Sequence, residues 1–557
     1  RRRMELSRHP DPESNGARRV ASESLATPPR SQQPMLPAML ARRARQSPGE
    51  TCIIEAETGA RVTYRELADE SGRLAHGLKS LGVRAGDAVA TMLPHCIDTY
   101  RVWFGLACLG ALETPIGTRY RGRMMQHILD DSRASLVIID RDYLGAFAQI
   151  VAEGRALHVT RVVVRGSGPS VDLPGHIETT SLDDLRGGAD DDAEPRDALE
   201  IPAPHNLALV LYTSGTTGPS KGVLVPWGQV HATVTGVFPE GALGPGKVLY
   251  GPFPPNHIGG RLFPGMGIHF GAPAVIRHTF SASAYWSDVA THRCTTTALV
   301  SAMISILMAA PPSDDDVSNP LQDVLMNPAP ADYERFQSRF GVRACTDFNM
   351  TEISIPLHSG WTIEDWRSCG RLRPGWPGYD LRIVDEHDNP VGPGVVGELV
   401  CRTDAPWALN AGYLGRPAET AAAWRNGWFH TGDAFKVDED GRYYFVDRMK
   451  DAIRRRGENV SSFEIEQEVL AHPDVVECAA IGVPSEFGEE DIKVFVVARP
   501  DSGLTEDAVI AFVRSRSADF MVPRFVELIA ELPRTEATQK VRKSELRARH
   551  AAATRKA

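Results

Sequence analysis

Hydrophobic and polar positions alternate with two different periods along the first part of the chain. Residues 63–82 (TYRELADESGRLAHGLKSLG) carry apolar side chains at helical spacing, whereas 87–93, 134–140 and 159–166 are short apolar runs typical of buried strands. Because amphipathic helices alternate with apolar strands, the pattern predicts an α/β fold with largely parallel sheets.

The pattern changes near residue 372. Between 372 and 447 strand-like runs are separated by D-N-P and G-P-G turns, which predicts a β-rich subdomain. Beyond it, a helix, two strands and a second helix predict a small α+β unit. We expect a disordered N-terminal extension at 1–36, a large domain at 37–447, a hinge at 448–450, a small mobile C-terminal domain at 451–545 and a flexible tail at 546–557.

Composition excludes several classes of function. The 557 residues are 42% hydrophobic and 24% charged, with a formal net charge of −10, so we do not expect nucleic-acid binding. None of the eight cysteines forms a C-x-x-C pair, which argues against a zinc site or a disulfide framework. No apolar run reaches the ~18 residues of a membrane span, and residues 1–36 lack the apolar core of a secretory signal. We expect a cytoplasmic protein without stable membrane insertion.

Residues 210–223, VLYTSGTTGPSKGV, form a glycine-rich loop directly after an apolar strand. Glycines allow backbone N–H groups to approach phosphate closely, hydroxyls add donors, and Lys221 supplies a positive charge. The loop lacks the G-x-x-x-x-G-K-[ST] pattern of a Walker A motif. A Ser/Thr/Gly-rich linker is the alternative, but linkers rarely follow a buried strand. The composition predicts a phosphate-binding loop.

The string itself resembles the phosphate loop of the adenylate-forming superfamily, which includes acyl-CoA synthetases, luciferases and peptide-synthetase adenylation domains. Further motifs of that family follow in order, so the resemblance covers about 40–545. Strings such as RRRGENVSSFEIE (454–466) and NHIGGRLFPGMGIHFGAPAVI (256–276) are particularly similar to the carnitine/crotonobetaine–CoA ligase branch. The resemblance implies that 37–447 is an adenylating domain that binds ATP. Its loop residues would be Thr213, Ser214, Gly215, Thr216, Thr217, Gly218 and Lys221.

Two later motifs would complete the nucleotide site. DFNMTE (347–352) resembles the family's Y-G-x-T-E motif: Phe348 would stack on adenine, Thr351 would contact the α-phosphate, and Glu352 would bind Mg²⁺ together with Thr213. Asn349, which replaces the usual glycine, and Met350 would also border the nucleotide. GWFHTGD (427–433) resembles the ribose-binding element, in which Asp433 would accept hydrogen bonds from both hydroxyls.

The C-terminal motifs imply a hinge and a second catalytic group. By resemblance, Arg448 would bind ribose and Lys450 would stand at the hinge, while Gly457 and Glu458 would line the pantetheine tunnel of coenzyme A. Arg454 and Asn459 would face the reacting carboxyl. Lys540, in LPRTEATQK, fits the lysine that bridges carboxylate and phosphate, although Gln539 replaces the usual glycine.

The sequence predicts the acid pocket in less detail than the nucleotide site. His257 occupies a position at which the family often has an aromatic residue or histidine that gates the acyl group. Asn256, Arg261, Ser301, Met303 and 326–330 would line or border the pocket, with Arg261 either partnering a polar substituent or lying on the surface.

Together these residues predict an AMP-forming acid–CoA ligase. ATP, Mg²⁺ and coenzyme A would be its cofactors and co-substrates, a small carboxylic acid its substrate, and a homodimer its possible assembly. The main alternative is an adenylating enzyme with another acceptor or oxyacid: a carrier protein, an amine, or nitrite in a secondary-metabolism diazotisation. A degenerate protein that binds nucleotide without catalysis is a third reading, which the set Thr351, Glu352, Asp433 and Lys540 disfavours.

Overall fold

A computed structural model describes residues 35–156, 158–169, 171–187, 202–213, 220–314, 316–375, 377–449, 453–455, 458–460, 462–485, 490–517, 521–534 and 541–554. Its helices are α1 (Leu36–Gln46), α2 (Tyr64–Ser80), α3 (Ile97–Cys108), α4 (Gly122–Ser132), α5 (Arg141–Ala152), α6 (Leu182–Gly187), α7 (Trp227–Val234), α8 (Ile258–Phe270), α9 (Ala282–Thr291), α10 (Ser301–Ala309), α11 (Tyr333–Phe340), α12 (Pro417–Ala423), α13 (Ser462–Leu470), α14 (Glu506–Arg514) and α15 (Lys543–Thr554).

The strands of the large domain are β1 (Thr51–Glu55), β2 (Arg61–Thr63), β3 (Ala88–Met92), β4 (Leu112–Pro115), β5 (Leu136–Asp140), β6 (Arg161–Arg165), β7 (Glu178–Ser181), β8 (Leu207–Thr213), β9 (Lys221–Pro226), β10 (Leu249–Gly251), β11 (Ala274–Ile276), β12 (Thr296–Val300), β13 (Asp323–Asn327), β14 (Arg343–Cys345), β15 (Asp347–Met350), β16 (Ser354–His358) and β17 (Arg371–Leu372). Those that follow are β18 (Tyr379–Val384), β19 (Gly397–Thr403), β20 (Phe429–Val437), β21 (Tyr443–Arg448), β22 (Ile453–Arg455), β23 (Glu458–Val460), β24 (Val475–Pro484), β25 (Glu490–Ala498) and β26 (Phe525–Leu528).

Local sequence signals explain where elements begin. Helix α2 starts at a capping box, in which the Thr63 hydroxyl accepts from the Glu66 N–H (3.2 Å) and the Glu66 carboxylate accepts from the Thr63 N–H (2.8 Å). Its apolar stripe, which includes Leu67, Leu74 and Leu78, is fully buried. The helix expected at 63–82 is confirmed.

Two mixed sheets form the core of the large domain. One has the order β7-β6-β5-β3-β4-β8-β9 and is parallel except for β9, which pairs antiparallel with β8. The other has the order β14-β13-β12-β10-β11-β1-β2 and is parallel except for β2. Parallel strands share a carboxyl edge, and ligands of open α/β sheets bind beyond that edge. The predicted parallel-rich architecture is confirmed.

The β-rich subdomain is an antiparallel sheet of order β18-β19-β20-β21. A smaller sheet, β15-β16-β17, carries the DFNMTE motif. The C-terminal unit packs α13 and α14 against the sheet β24-β25-β26, with a buried core of valines and isoleucines. The predicted β-rich subdomain and the predicted α+β C-terminal unit are therefore both confirmed.

Two expected boundaries are wrong by short distances. The N-terminal extension falls outside the described residues up to 34, but Met35 and Leu36 are buried and α1 begins at Leu36. At the other end, the expected flexible tail from 546 is instead part of α15, which reaches Thr554. Leu546 is buried among the side chains of the C-terminal sheet, and this contact could not be read from a lysine- and arginine-rich sequence. Among the described helices, none combines the length and apolar character that crossing a bilayer requires.

Candidate active site

The phosphate loop is framed by a hairpin of two strands. Strands β8 and β9 pair antiparallel, and Thr213 at the end of β8 lies opposite Lys221 at the start of β9. Helix α4 anchors both sides of this hairpin, since His127 Nε2 lies 2.7 Å from the Ser220 carbonyl and the Tyr212 hydroxyl donates to Asp131 (2.9 Å). The structure thus places Thr213 and Lys221 at the mouth of the loop. The predicted Ser214, Gly215, Thr216, Thr217 and Gly218 lie outside the described residues.

Lys221 and Glu352 are brought together by a tyrosine. The Lys221 ammonium pairs with the Glu419 carboxylate and stands 5.2 Å from the centroid of the Tyr413 ring. The Tyr413 hydroxyl donates to Glu352 Oε1 at 3.3 Å. The hydrogen bond from Lys221 is the largest cause that lowers the pKa of Glu419. The predicted phosphate-binding lysine and the predicted metal ligand therefore share one neighbour.

Sequence reasoning missed Tyr413 and Glu419. They belong to the string GYLGRPAET (412–420), in which Pro417 at the first position of α12 predicts only a helix start. Glu419 lies in the first turn of that helix, where a carboxylate is favoured by the helix dipole. No spacing rule links these residues to Lys221, because the contact is made across the fold.

The backbone around Thr351 and Glu352 is fixed from two sides. The Glu352 carbonyl accepts from both the backbone N–H and the side-chain amide of Asn410, each at 3.0 Å. The Thr351 carbonyl accepts from the Gln229 amide at 2.6 Å. Gln229 lies on α7, directly after β9, so the helix that follows the β8–β9 hairpin also holds the backbone of the motif that contains the predicted metal ligand. The Glu352 side chain is largely buried.

Strand β20 contacts both the predicted adenine residue on β15 and the predicted ribose residue on β21. The Phe348 ring packs edge-on against Phe435 of β20, with 4.8 Å between centroids. Asp433, two residues earlier on β20, is almost fully buried, and its carboxylate pairs with Arg448 of β21 at 2.9 Å. Asp433 and Arg448 are also direct partners in the β20–β21 ladder. Phe435 and Asp433 of β20 thus contact Phe348 and Arg448 respectively, and half-buried Met350 packs against the same apolar cluster as Phe348. The nucleotide-binding roles of these residues stay predictions.

Asn349 contacts a buried carboxylate. Its amide donates to Asp347 Oδ1 at 3.0 Å, and the Asn327 amide donates to the same oxygen. Burial raises the pKa of Asp347 to about 7, because the charged form is poorly solvated there. The asparagine that replaces the family's glycine at 349 thus adds a side-chain contact within DFNMTE.

Most residues predicted to form the acid pocket border the carboxyl edge of the sheet that contains β10 and β12. His257 and buried Asn256 precede α8, whose N-terminal flank follows the end of β10. The Ser301 hydroxyl donates to the Pro328 carbonyl (3.3 Å), which joins the start of α10 to the 326–330 segment. Met303 is half-buried on the same helix.

Arg261 is neither a pocket residue nor a surface residue. It is 1% exposed, and its guanidinium bonds to Glu113 Oε1 (2.7 Å) and to the Pro255 carbonyl (3.1 Å). The indole ring of Trp103 lies 5.1 Å away, which adds a cation–π contact. Both readings from the sequence are wrong, because a buried carboxylate 148 residues away satisfies the charge.

The C-terminal candidates are only partly described. Strands β22 and β23 pair Arg454 with Asn459 and Arg455 with Glu458 as backbone partners. Lys450, Gly457, Gln539 and Lys540 lie outside the described residues. Next to the expected hinge, the Asp447 carboxylate accepts from the Ser462 N–H and hydroxyl, both at 2.6 Å. The roles of these C-terminal residues remain predictions.

Comparisons with known proteins identify the family of the chain. The model of the family described as AMP-binding enzyme matches residues 40–414, more than half of the chain, and the AMP-binding enzyme C-terminal domain matches 464–538. A crotonobetaine/carnitine–CoA ligase of Salmonella arizonae is 32% identical over 495 residues, covering 87% of this chain and 92% of that protein.

Solved structures show the same fold. The anthranilate CoA ligase AuaEII in complex with anthranoyl-AMP superposes with a TM-score of 0.81 at 24% identity, over 94% of this chain and 99% of that one. The o-succinylbenzoate CoA synthetase of Bacillus subtilis with ATP and magnesium gives 0.75 at 22% identity, over 91% and 98%. The phosphate hairpin, the Phe348–Asp433 arrangement and these matches lead to one conclusion: the chain belongs to the AMP-binding enzyme family, the adenylate-forming acyl-CoA ligases.

Proposed function

We propose that this protein activates a carboxylic acid with ATP and transfers the acyl group to coenzyme A. The acid's oxygen attacks the α-phosphorus of ATP to form an acyl-adenylate and pyrophosphate, and the coenzyme A thiol then displaces AMP to give a thioester. The observation that carries the proposal is the joining of Lys221 and Glu352 through Tyr413 at the mouth of the phosphate loop.

The first half-reaction brings two anions together, so charge neutralisation is its main requirement. Lys221 supplies one positive charge, and the ATP phosphates would compete with Glu419 for it. Lys540 would supply a second charge beside the reacting carboxylate.

Mg²⁺ commonly binds through one or two carboxylates together with substrate phosphates. The single, largely buried Glu352 carboxylate beside the hairpin suits such a site, with Thr213 as the expected second protein contact. When bound, the ion would screen the phosphate charge.

The remaining nucleotide contacts follow from the described geometry. Phe348, held by Phe435, offers a ring face for adenine, and Met350 lies beside it. Asp433 offers carboxylate oxygens for the ribose hydroxyls, with Arg448 holding its orientation at 2.9 Å. Thr351, whose carbonyl is fixed by Gln229, would contact the α-phosphate.

The second half-reaction rests on the C-terminal unit. We propose that it rotates about 448–450, so that Lys540 leaves and Gly457 and Glu458 present the pantetheine path. Arg454 and Asn459, opposite one another on β22 and β23, would then face the acyl carbonyl. His257 would gate the acid, which is a small molecule. A cytoplasmic location, a homodimer and a role in secondary metabolism remain predictions.

Mass spectrometry of the products tests the proposal. A panel of acids is incubated with ATP and Mg²⁺, with coenzyme A present or absent. We expect pyrophosphate in both cases, an acyl-CoA only with coenzyme A, and a severe loss of both products in Lys221→Ala and Lys540→Ala. Lys79→Ala, at an exposed lysine near the end of α2, is the matched control and should behave as wild type. Pyrophosphate without any thioester would point to another acceptor or oxyacid.

A further inference from the structure

Asp347 has a buried carboxylate whose two oxygens differ in their hydrogen bonds. It begins β15 just beyond the carboxyl edge of β14 and is 3% exposed. Oδ1 accepts from Asn327 and Asn349. Within the described part of the chain, Oδ2 is buried and has no hydrogen-bond partner. Leaving a buried acceptor unpaired is costly, so Oδ2 suits a hydrogen bond from a bound molecule.

The charged and titratable neighbours do not supply that donor. His358, opposite Asp347 in the β15–β16 ladder, is kept neutral because burial lowers its pKa to about 4. Both of its ring nitrogens are already used: Nε2 lies 3.3 Å from the Val237 carbonyl, and Nδ1 accepts from the Gly360 N–H. Burial raises the pKa of Cys345 and that of Cys369, so both keep their S–H groups, but neither thiol lies within hydrogen-bonding distance of Oδ2. Arg373 lowers the pKa of Asp347, but its guanidinium donates to the Ala232 carbonyl (3.3 Å) and burial of the carboxylate outweighs its effect.

The location of Asp347 connects the two proposed subsites. It immediately precedes Phe348, which offers a face for adenine. Through Asn327 it contacts the 326–330 segment, and Ser301 bonds to Pro328 in that segment. All of these residues lie beyond the shared carboxyl edge of β12, β13 and β14. Asp347 therefore lies between the residue expected to bind adenine and the residues expected to border the acid.

We propose that Asp347 is a specificity-determining residue that accepts a hydrogen bond from an N–H or O–H group on the acid substrate. Asn327 and Asn349 are positioning residues, because both hold Oδ1 and thereby orient Oδ2. This gives a function to Asn349, which stands where the family usually has glycine. The inference rests on the proposed acid activation and names its substrate class: acids that carry an amino or hydroxyl group.

The test compares acids that differ only in that group. The pairs are 3-hydroxybenzoate with 3-methylbenzoate and 4-aminobutanoate with pentanoate, and 4-(trimethylammonio)butanoate serves as a cation without a donor. Pyrophosphate release gives kcat/KM for each acid. In the pair that the enzyme converts more efficiently, we expect kcat/KM to be about 10- to 100-fold higher for the acid with the hydroxyl or amino group. The methyl analogue leaves the buried Oδ2 acceptor unpaired.

Variants separate recognition from structure. Asp347→Asn preserves shape but offers an amide, and it should reduce the preference to about 3-fold or less while leaving the KM for ATP unchanged. Asn349→Gly should reduce it by a smaller factor, and Asp332→Asn, at an exposed aspartate before α11, should not alter it. An unchanged preference in Asp347→Asn, or a raised KM for ATP alone, would overturn the proposal; the second result would assign Oδ2 to the nucleotide.

A measurement on the wild type does not depend on the folding of variants. Among the neighbours named above, only the carboxylate has a pKa near 7, so the hydroxy-to-methyl ratio of kcat/KM should rise between pH 6 and 8.5 as Asp347 ionises. A flat ratio contradicts the proposal. If no acid yields pyrophosphate, the proposed function fails; if both members of each pair react equally well, acid activation stands and only this inference fails.

Discussion

Replacing Tyr413 with phenylalanine removes the hydroxyl that orients Glu352 while keeping the ring beneath Lys221. The hydrogen bond is 3.3 Å long, beyond the usual 2.5–3.0 Å for O–H···O, so we assign it less than the ~1.5–3 kcal/mol of a well-formed bond to a charged group, about 1 kcal/mol. At about 1.4 kcal/mol per factor of ten, kcat/KM for ATP should fall about 5-fold.

Tyr413→Leu removes the ring as well. The Lys221 side chain is 34% exposed, so its contact with the ring contributes about 0.5–1 kcal/mol, and the total loss should reach about 10- to 30-fold. Pyrophosphate release at saturating acid is measured against Mg²⁺ concentration. The phenylalanine variant should also require more Mg²⁺, because its defect lies at the metal ligand.

The matched control is Tyr444→Phe. Tyr444 donates to Asp438 at 3.0 Å on the surface of the β-rich sheet, so the same atoms are removed without touching the site. We expect wild-type kinetics from this control. If Tyr413→Phe retains the wild-type Mg²⁺ dependence and kcat/KM, the tyrosine does not orient Glu352 and the argument is refuted.

Three further changes test other parts of the structure. Arg261→Met strands buried Glu113 and should lower the free energy of unfolding by about 3–5 kcal/mol in denaturant titrations; a loss below 1 kcal/mol contradicts the buried pair. Asp433→Asn should raise the KM for ATP about 10- to 100-fold and erase discrimination against 2′-deoxy-ATP; retained discrimination would remove Asp433 from the ribose site. The folded-state pKa of Asp347, about 7, exceeds its ordinary 3.8, so ionisation costs stability increasingly as pH rises between these values. Asp347→Asn should therefore raise the melting temperature more at pH 8 than at pH 4, and an equal shift at both would refute this.

Much of the fold follows from local signals. The alternating periods before residue 372 predict the parallel-rich sheets, and the turn-rich stretch after it predicts the antiparallel subdomain. Burial of one helix face, or of both strand faces, requires apolar residues at a characteristic spacing in the sequence. Chain ends were predicted less well. Leu546 is buried through a distant sheet, and nothing in its own neighbourhood indicates that contact.

The sequence by itself determined the class of chemistry. The phosphate loop, Phe348, Glu352 and Asp433 occur in the order that the family's motifs have. Binding ATP requires particular chemical groups, and proteins that share a fold place those groups at corresponding positions of the sequence. Their roles could be stated before any distance was known.

Only the tertiary structure decided which side chains meet. Arg261 is held by Glu113, and Lys221 and Glu352 both contact Tyr413. Among the residues that the structure describes, none donates a hydrogen bond to Asp347 Oδ2. Each of these facts depends on strands and helices far apart in sequence that pack side by side. Desolvation and hydrogen-bond satisfaction are properties of that packed environment, so no residue carries them in its own sequence neighbourhood.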